Sequence, residues 1–509
     1  MREGGLGPYA LATLLGLAAG AAALVLARAV GPGLEPDSMS YLGAAESLAR
    51  SGELRVPWAP WSAPDSTTPL TDFPPGFSVA LAAPIALGAP PTLAARWVMA
   101  AALAVAVGVG ALLVGHAGGA GAAVGAVALL GATPAIGGSA LVVMSEPLFF
   151  AWFAGVLWLM YRSPERPLGY GLAAAGASLV RYAGVSLVGA GLVWAGMQPA
   201  PLARRLRRAV GAALPGFLAQ AAWAARGSLE HAAPPSLRMS HFGGLGSAVV
   251  NGVPVLSEWL APGLPPGVAR TAAACGLLAL LAVVVGRAAL RFDESSEAVA
   301  RLLRILGIVA VSYVLVLLYA RQYVGADVAF DRRLLAPLFF LAALGAPASV
   351  AELRRRGRRA GPTGAVAVGV VWIALTCMAD VGEVRAVRDA GYGYEGADWQ
   401  RSPMARWIRT DGRRHAMFTN DPAAVFFLTG RPARLLPRTL SPFGLGAFAA
   451  TFARHQGALL GFVDSFDPTV APDSLAAALG LREVAAFEYG RAWVPPHPPS
   501  VAPHPPGVD

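Results

Sequence analysis

The sequence has few charged residues and no lysine. Charged side chains make up 14% of its 509 residues, whereas soluble domains carry about 25%. All 40 basic residues are arginine, so the chain has no lysine for a Schiff base or a P-loop phosphate site. Its only two cysteines, Cys275 and Cys377, lie inside apolar segments, which argues against a disulfide framework and against a thiolate metal site.

Long apolar runs take the place of the missing charges. The chain is 55% hydrophobic, and many of its apolar runs are long enough to cross a bilayer. The first run, about residues 8–30, is longer than a signal-peptide core, so we expect it to be retained as a span. The sequence predicts eleven spans, at about residues 8–30, 94–114, 121–142, 147–161, 168–180, 183–198, 209–225, 267–289, 305–320, 334–350 and 362–379.

Three arginine clusters predict how the chain is oriented. Arginines at 204–208, 287–304 and 354–359 flank the apolar runs, and the positive-inside rule places all three in the cytoplasm together with the N-terminus. Residues 77–88 are apolar but too short for a span and contain Pro84. Counting them as a crossing would move every cluster outside, so we interpret them as an interfacial or re-entrant helix. Eleven spans then leave the C-terminus outside the cytoplasm.

The composition changes after about residue 380. Short alternating segments replace the apolar runs, with strands expected at His415–Thr419, Leu459–Val463 and Glu483–Phe487 and helices near 398–409, 421–429 and 473–479. The last residues are Pro-rich and typical of a disordered segment. We therefore predict a polytopic membrane domain at 1–380 with a catalytic first outer loop at 31–93, an extracytoplasmic α/β domain at 381–493, and a disordered tail at 494–509.

The first outer loop carries an acidic residue where a short helix is predicted to begin. Apolar and small residues recur at helical spacing from Tyr41 to Leu48, which predicts a helix from just after Asp37 to near Gly52. Two roles stay open for Asp37. It is either the N-cap of this helix or a carboxylate held at the membrane surface for chemistry.

Two charged residues interrupt or open apolar segments further along the chain. Glu146 opens the fourth predicted span, and an acid so close to hydrocarbon is either functional or an ordinary interfacial residue. Arg181 separates two short apolar segments. It suits a phosphate contact, and the alternative is an arginine that extends to the membrane surface or sets the topology.

Three more arginines are predicted on the external side. Arg321, Arg332 and Arg333 lie where the positive-inside rule disfavours basic residues. They are therefore more informative about function than the cytoplasmic clusters. Asp331 precedes two of them, and its simplest role is to pair with one of these neighbours.

Two further patterns carry little weight. Gly391-x-Gly393-x-x-Gly396 matches the letters of a dinucleotide-binding fingerprint, but it follows no strand of a βαβ unit. His231 and His241 lie in a long predicted outer loop, and the histidines show no metal-ligand spacing.

The motifs as a set resemble the GT-C glycosyltransferases. This superfamily includes the protein O-mannosyltransferases, the lipid A aminoarabinose transferase and the rhizobial lipopolysaccharide galacturonosyltransferases. The matching motifs occur in the same order over essentially the whole chain: the acid and tyrosine of the first outer loop, a Ser-Gly-Glu-Leu step, Asp72-Phe73-Pro74-Pro75-Gly76, Met144-Ser145-Glu146-Pro147-Leu148, Leu179-Val180-Arg181-Tyr182, and Asp331-Arg332-Arg333-Leu334-Leu335-Ala336-Pro337.

The resemblance implies a mainly α, polytopic, GT-C-like membrane protein with a small extracytoplasmic α/β C-terminal domain. It implies an inverting transfer of a sugar from a polyprenyl-phosphate donor to an acceptor hydroxyl. Polyprenyl phosphate is a good leaving group, so one carboxylate base and cations on the phosphate suffice. The catalytic residues implied are Asp37 and Glu146, and the substrate-binding residues implied are Tyr41, Asp72, Arg181, Tyr182, Arg321, Asp331, Arg332 and Arg333.

The implied partners are the lipid-linked donor, a lipid, glycan or protein acceptor, and the bilayer, without nucleic acid. We expect a bacterial inner-membrane protein. No certain cofactor is implied and a divalent metal stays open, although Ser38 follows Asp37 where a common family pattern has a second acid. A polytopic transporter or lipid flippase is the alternative, but transporters often have inverted repeats and broken helices near the membrane midplane. Here the polar residues cluster on one predicted face.

Overall fold

A computed structural model describes residues 7–27, 32–230, 245–290, 297–323, 330–357, 360–463, 469–488 and 490–496. The chain divides into two compact units. The membrane unit comprises Met1–Pro32 and Leu70–Asp389, and the C-terminal unit comprises Gly33–Pro69 and Ala390–Asp509. The predicted features that lie outside the described residues are His231, His241, Arg291, Arg358, Arg359 and the Pro-rich tail from residue 497 onward.

Helices dominate the described chain. The helices, in chain order, are α1 (Gly7–Leu26), α2 (Pro36–Ser51), α3 (Gly76–Ala86), α4 (Pro91–Gly118), α5 (Ala120–Ala132), α6 (Pro134–Gly137), α7 (Glu146–Arg162), α8 (Pro167–Val180), α9 (Val185–Met197), α10 (Leu202–Leu229), α11 (Leu245–Leu260), α12 (Val268–Leu290), α13 (Glu297–Tyr323), α14 (Arg332–Arg355), α15 (Ala360–Ala390), α16 (Ala397–Arg401), α17 (Pro403–Arg409), α18 (Pro422–Thr429), α19 (Pro442–Arg454) and α20 (Pro472–Ala478). The strands are β1 (Arg55–Val56), β2 (Trp58–Pro60), β3 (Thr68–Pro69), β4 (Ala416–Thr419), β5 (Ala433–Leu435), β6 (Gly457–Phe462), β7 (Arg482–Phe487) and β8 (Gly490–Val494).

All eleven predicted spans coincide with helices, but the count of eleven is not confirmed. Among the described residues, six helices are long and apolar enough to cross a membrane: α1, α4, α12, α13, α14 and α15. A seventh span arises if α5 and residues 134–140, which meet at a bend of 77°, are taken together. The helices α8 and α9 have only 14 and 13 residues, whereas a straight crossing needs about 20. The six long apolar helices make the chain an integral membrane protein.

Small residues bring the first two membrane helices into close contact. A Cβ at Gly16 would lie 2.5 Å from the carbonyl oxygen of Ala104, and one at Gly20 would lie 2.9 Å from the Ala104 Cβ. The helices α1 and α4 therefore approach through their backbones, as small-residue motifs allow in membranes. Deeper in the unit, Phe150 of α7 stacks on Phe340 of α14 with ring centroids 5.5 Å apart.

The C-terminal unit contains a six-stranded mixed sheet. Its order is β2-β5-β4-β6-β8-β7. The first four strands are parallel, whereas β8 is antiparallel to both β6 and β7. The edge strand β2 comes from the segment between α1 and α4, which the sequence predicts to be the first outer loop, so this segment completes the sheet. The sequence predicted that the whole loop belongs to the membrane domain. In the structure, Gly33–Pro69 is part of the C-terminal unit, and the membrane unit resumes at Leu70.

The first outer loop is fixed to the rest of the C-terminal unit at two other points. Leu34 donates its amide to the Tyr392 carbonyl and accepts from the Tyr394 amide, at 3.2 and 3.0 Å. Gly393 has a φ of +61°, and a Cβ there would collide with the Leu34 carbonyl. The glycines of the apparent dinucleotide fingerprint therefore shape a turn. In the middle of α2, Gly43 packs against Pro57 and Phe426.

The contact at Gly43 predicts a selective loss of stability. A Cβ at Gly43 would lie 2.8 Å from the Pro57 Cγ, and the rigid proline ring cannot move aside. We expect Gly43→Ala to destabilise the C-terminal unit by about 1–3 kcal/mol, as overpacking does elsewhere. The control is Gly446→Ala in α19, where a Cβ meets nothing within 4 Å, so helix propensity makes the change neutral or stabilising. Thermal unfolding of the two variants checks this, and equal melting temperatures would contradict the close packing.

Candidate functional site

A buried carboxylate with two guanidinium partners lies in the membrane unit. Glu146, the first residue of α7, is 4% exposed. Its Oε1 atom is 2.7 Å from Arg181 Nη1 and accepts a hydrogen bond of 2.6 Å from Arg333 Nε. The structure thus brings together three of the predicted site residues from distant parts of the chain. We call Glu146, Arg181 and Arg333 the Glu146 cluster.

Breaks between helices position the two arginines. Arg181 has an extended backbone between α8 and α9, and its Nη1 atom also donates to Ser145 Oγ at 3.2 Å. Arg333 is in the first turn of α14, where the carboxylate of Asp331 is the N-cap and accepts from the Leu334 amide at 2.7 Å. Asp331 therefore stabilises the start of the helix that carries Arg333.

The Glu146 cluster has more positive than negative charge. Two guanidiniums face a single carboxylate, and both contact the same oxygen, Oε1. The other oxygen, Glu146 Oε2, is buried without a hydrogen-bond partner among the described residues. Burying a charge costs free energy unless the charge is paired. The ion pairs with Arg181 and Arg333 offset this cost for Glu146. Each guanidinium has five N–H donors, so the cluster can also bind a further anion.

The adjacent residue Arg332 belongs to a second ionic cluster. Its side chain pairs with Glu258 at the end of α11, with the Nε atom 3.3 Å from Oε2. Arg270 of α12 approaches the same carboxylate, with Nη2 3.7 Å from Oε2. Neither Glu258 nor Arg270 was predicted: Glu258 lies in α11, a stretch interpreted as a long outer loop, and Arg270 lies at the start of the span predicted at about residues 267–289. The apolar residues of α11 at helical spacing were the available signal.

A hydrogen-bonded loop precedes Asp72. Tyr182 donates its hydroxyl to the Thr71 carbonyl at 3.1 Å and accepts from Trp223 Nε1 at 3.1 Å. Arg226 donates to the Leu70 carbonyl at 2.9 Å. The backbone leading to Asp72 is therefore held by side chains from the break after α8 and from α10. Arg321 is in the last turn of α13.

In the C-terminal unit, Asp37 is the second residue of α2 and not its cap. The cap is Glu35, which forms a capping box with Ser38; the Glu35 amide donates to Ser38 Oγ at 2.9 Å. The predicted role of Asp37 as an N-cap is therefore wrong, because the helix begins one residue before it. Tyr41, one turn further along α2, is 2% exposed.

A buried tyrosine and a carboxylate lie near the start of α2. Tyr394 donates its hydroxyl to the carboxylate of Asp421, with both oxygens at 2.9 Å, and Asp421 also caps α18. Burial raises the pKa of the Tyr394 phenol, and the carboxylates of Asp421, Glu35 and Asp37 raise it further. Tyr394 therefore stays protonated as a donor at all physiological pH values. No sequence motif marks this pair, and neither residue was predicted as a site residue.

The described residues do not assemble a preformed metal site. Among them, no group of three or more His, Cys, Asp or Glu side chains is arranged to hold a metal ion. The ionic clusters instead combine carboxylates with arginine, which is never a metal ligand in its charged form.

The Glu146 cluster predicts strong energetic coupling. Removing one guanidinium by Arg181→Gln leaves Glu146 less compensated, and breaking such a buried pair costs about 3–5 kcal/mol. The double variant Glu146→Gln/Arg181→Gln should recover about 0.5–3 kcal/mol relative to the sum of the single changes. Thermal unfolding of the detergent-solubilised wild type, the two single variants and the double variant measures this coupling energy. The exposed Glu297–Arg301 pair at 2.8 Å is the control, with coupling below about 1 kcal/mol. Equal coupling in the two cycles would contradict a buried cluster.

No family model matches the sequence, and no curated protein matches it significantly. The fold, however, is similar to solved structures. The crystal structure of ArnT from Cupriavidus metallidurans bound to undecaprenyl phosphate has a TM-score of 0.57 and 16% sequence identity, and the match covers 96% of this chain and 98% of that one.

A second solved structure shares the architecture. The oligosaccharyltransferase of Archaeoglobus fulgidus, in complex with zinc and sulfate, has a TM-score of 0.52 and 11% identity over 88% of this chain and 68% of that one. Its apo form has a TM-score of 0.51 and 13% identity. Both proteins belong to the GT-C superfamily. The chain therefore has the GT-C fold, as its sequence motifs predicted.

Proposed function

We propose that this protein is a membrane glycosyltransferase that moves a sugar from a polyprenyl-phosphate carrier to an acceptor hydroxyl on the extracytoplasmic face. The observation that carries the proposal is the Glu146 cluster, in which two arginines and a carboxylate are gathered within an apolar helical unit. Ionisable groups placed so close to hydrocarbon are costly and mark functional sites. The similarity in fold to ArnT bound to undecaprenyl phosphate supports a lipid-linked donor.

In this proposal Arg181 and Arg333 bind the phosphate of the donor. Guanidinium groups form paired, charge-assisted hydrogen bonds with phosphate oxygens. Glu146 holds both side chains in place before the donor arrives, through its contacts of 2.7 and 2.6 Å. Each guanidinium has five N–H donors, so both arginines can bind the phosphate and Glu146 at the same time. The two arginines then stabilise the negative charge that develops on the leaving phosphate.

Asp37 is the proposed base. The acceptor oxygen attacks the anomeric carbon from the face opposite the phosphate, so a bond forms to the acceptor and the configuration inverts. The carbon–oxygen bond to the phosphate breaks, and its electron pair leaves with the polyprenyl phosphate. The acceptor's proton passes to the Asp37 carboxylate. No general acid is required, because the phosphate leaves as an anion that arginines stabilise.

The remaining predicted residues have supporting roles in this proposal. Tyr41, Asp72, Tyr182, Arg321 and Asp331 would bind or position the substrates, whereas Arg332, whose side chain pairs with Glu258, has no substrate role in this proposal. The acceptor is a lipid, glycan or protein, and the enzyme lies in a bacterial inner membrane with its N-terminus in the cytoplasm and its C-terminal domain outside. A divalent metal remains compatible with the chemistry, and the zinc in the A. fulgidus structure supports testing one. The sugar itself is not specified by these residues.

A transporter or lipid flippase is the second function considered. A flippase would also bind a polyprenyl phosphate through arginines, so the Glu146 cluster fits both functions. A flippase has no use for a general base, however. Substitution at Asp37 therefore separates the two.

The role of Asp37 predicts a loss of rate without a loss of folding. The Glu35–Ser38 capping box starts α2 independently of Asp37, so Asp37→Asn should fold and insert normally. An amide cannot accept the proton, and losing a general base costs about 10²–10⁴-fold in rate. The measurement is release of polyprenyl phosphate from a lipid-linked sugar. The matched control is Asp65→Asn in the same loop, whose carboxylate is 74% exposed and 3.6 Å from Arg55; it should stay near wild type. Full activity of Asp37→Asn would show that Asp37 is not the base.

A further inference from the structure

A small ionic pocket lies at the junction of four helices in the membrane unit. It has a volume of about 110 Å³. Four charged side chains line it: Glu258 of α11, Arg270 of α12, Arg332 of α14 and Asp380 of α15. Arg270 is only 13% exposed, and its Nε atom is buried without a hydrogen-bond partner among the described residues. A buried donor of this kind is unfavourable unless a ligand satisfies it.

An apolar cleft shares a wall residue with this pocket. The cleft has a volume of about 660 Å³ and runs between α5, α12, α14 and α15, a size typical of ligand sites. Trp259 lines both the cleft and the ionic pocket. Its ring stacks on Phe339 with centroids 4.1 Å apart, and its carbonyl accepts from Trp372 Nε1 at 2.9 Å.

Two membrane helices that border the cleft are hardly packed by protein. In the most apolar windows of α12 and α15, only 6% of the residues are buried, compared with 56% in α4 and 61% in α14. Several cleft residues are exposed in this structure, among them Val124, Leu280 and Val370. Apolar walls that no protein covers face lipid chains in a bilayer. Lipid is therefore the material that fills the space between these two helices and the rest of the unit.

The geometry points to a binding site for a zwitterionic phospholipid that carries a primary ammonium, such as phosphatidylethanolamine. Its chains fill the cleft, and its headgroup enters the ionic pocket. The phosphate accepts hydrogen bonds from Arg270 and Arg332, which satisfies the buried Arg270 Nε. The ammonium group pairs with Glu258 and Asp380. The bound lipid then supports α12 and α15 against the remaining helices.

The charge balance of the pocket favours this lipid over an anionic one. Two guanidiniums and two carboxylates line the pocket, so it matches a headgroup with one charge of each sign. A phosphatidylglycerol or a polyprenyl phosphate would place its anion beside both carboxylates without supplying a cation. The Glu146 cluster has a different composition, with two guanidiniums and one carboxylate. The adjacent residues Arg332 and Arg333 thus serve two sites of different charge.

Native mass spectrometry of the full-length protein tests the site directly. Detergent-purified protein is titrated separately with phosphatidylethanolamine, with phosphatidylglycerol and with sugar-free polyprenyl phosphate. Wild type should retain phosphatidylethanolamine about tenfold better than phosphatidylglycerol. Arg270→Gln should weaken phosphatidylethanolamine binding by about tenfold or more, because it removes the charged donor to the phosphate. The control, Arg166→Gln, changes an arginine that is 81% exposed, and it should bind as wild type does.

A second variant keeps the test valid if Arg270→Gln folds poorly. Glu258→Gln preserves the shape of the side chain and leaves the pocket with one surplus positive charge. It should reverse the preference, so that phosphatidylglycerol binds better than phosphatidylethanolamine, which an unfolded protein cannot show. An unchanged preference in Glu258→Gln would overturn the proposal. So would displacement of phosphatidylethanolamine by equimolar polyprenyl phosphate in the wild type, since the site would then belong to the sugar donor.

Discussion

The cost of burying charge governs the membrane unit. Glu146 stands at the start of a largely buried helix, and its carboxylate is tolerated because two guanidiniums reach the same oxygen at 2.7 and 2.6 Å. This requirement constrains several elements at once. The chain must break after α8 so that Arg181 can turn inward, and α14 must begin at the point where Arg333 faces the carboxylate. The cap at Asp331 fixes that start. One buried acid therefore determines where three helices begin or end.

The C-terminal unit depends on a different constraint, the insertion of the first outer loop. Strand β2 forms the edge of a sheet whose other strands all lie beyond residue 415, and Gly33 and Leu34 meet Tyr392 to Tyr394. Closing such a long loop costs entropy before its contacts form. Once formed, these contacts hold α2 in place, with Asp37 near the buried Tyr394–Asp421 pair. A residue proposed for proton transfer thus lies on a regular element inside a folded domain.

Local signals in the sequence were sufficient for much of this architecture. Apolar runs located the membrane helices, and alternating segments located β4, β6 and β7. The predicted helices near 398–409, 421–429 and 473–479 correspond to α16 with α17, α18 and α20, whereas α19 and β8 were missed. The short strands β2 and β5 were missed, because three residues carry no measurable periodicity and their pairing spans most of the chain. The same limit applies to the site. The motifs singled out Glu146, Arg181 and Arg333 separately, but nothing local joins Glu146 to a partner 187 residues away. Glu258 was missed since α11 was interpreted as a loop, and the position of the α2 cap was wrong by two residues.

The central claim is that this fold breaks a glycosidic bond to a lipid carrier. The most direct measurement uses proteoliposomes that contain the purified protein and a polyprenyl-phosphate sugar labelled in both the sugar and the lipid, with an acceptor added. The account predicts that the two labels separate: free polyprenyl phosphate accumulates, and the sugar appears on the acceptor with inverted anomeric configuration. Movement of the doubly labelled lipid across the bilayer with its glycosidic bond intact would contradict the account and identify a flippase instead.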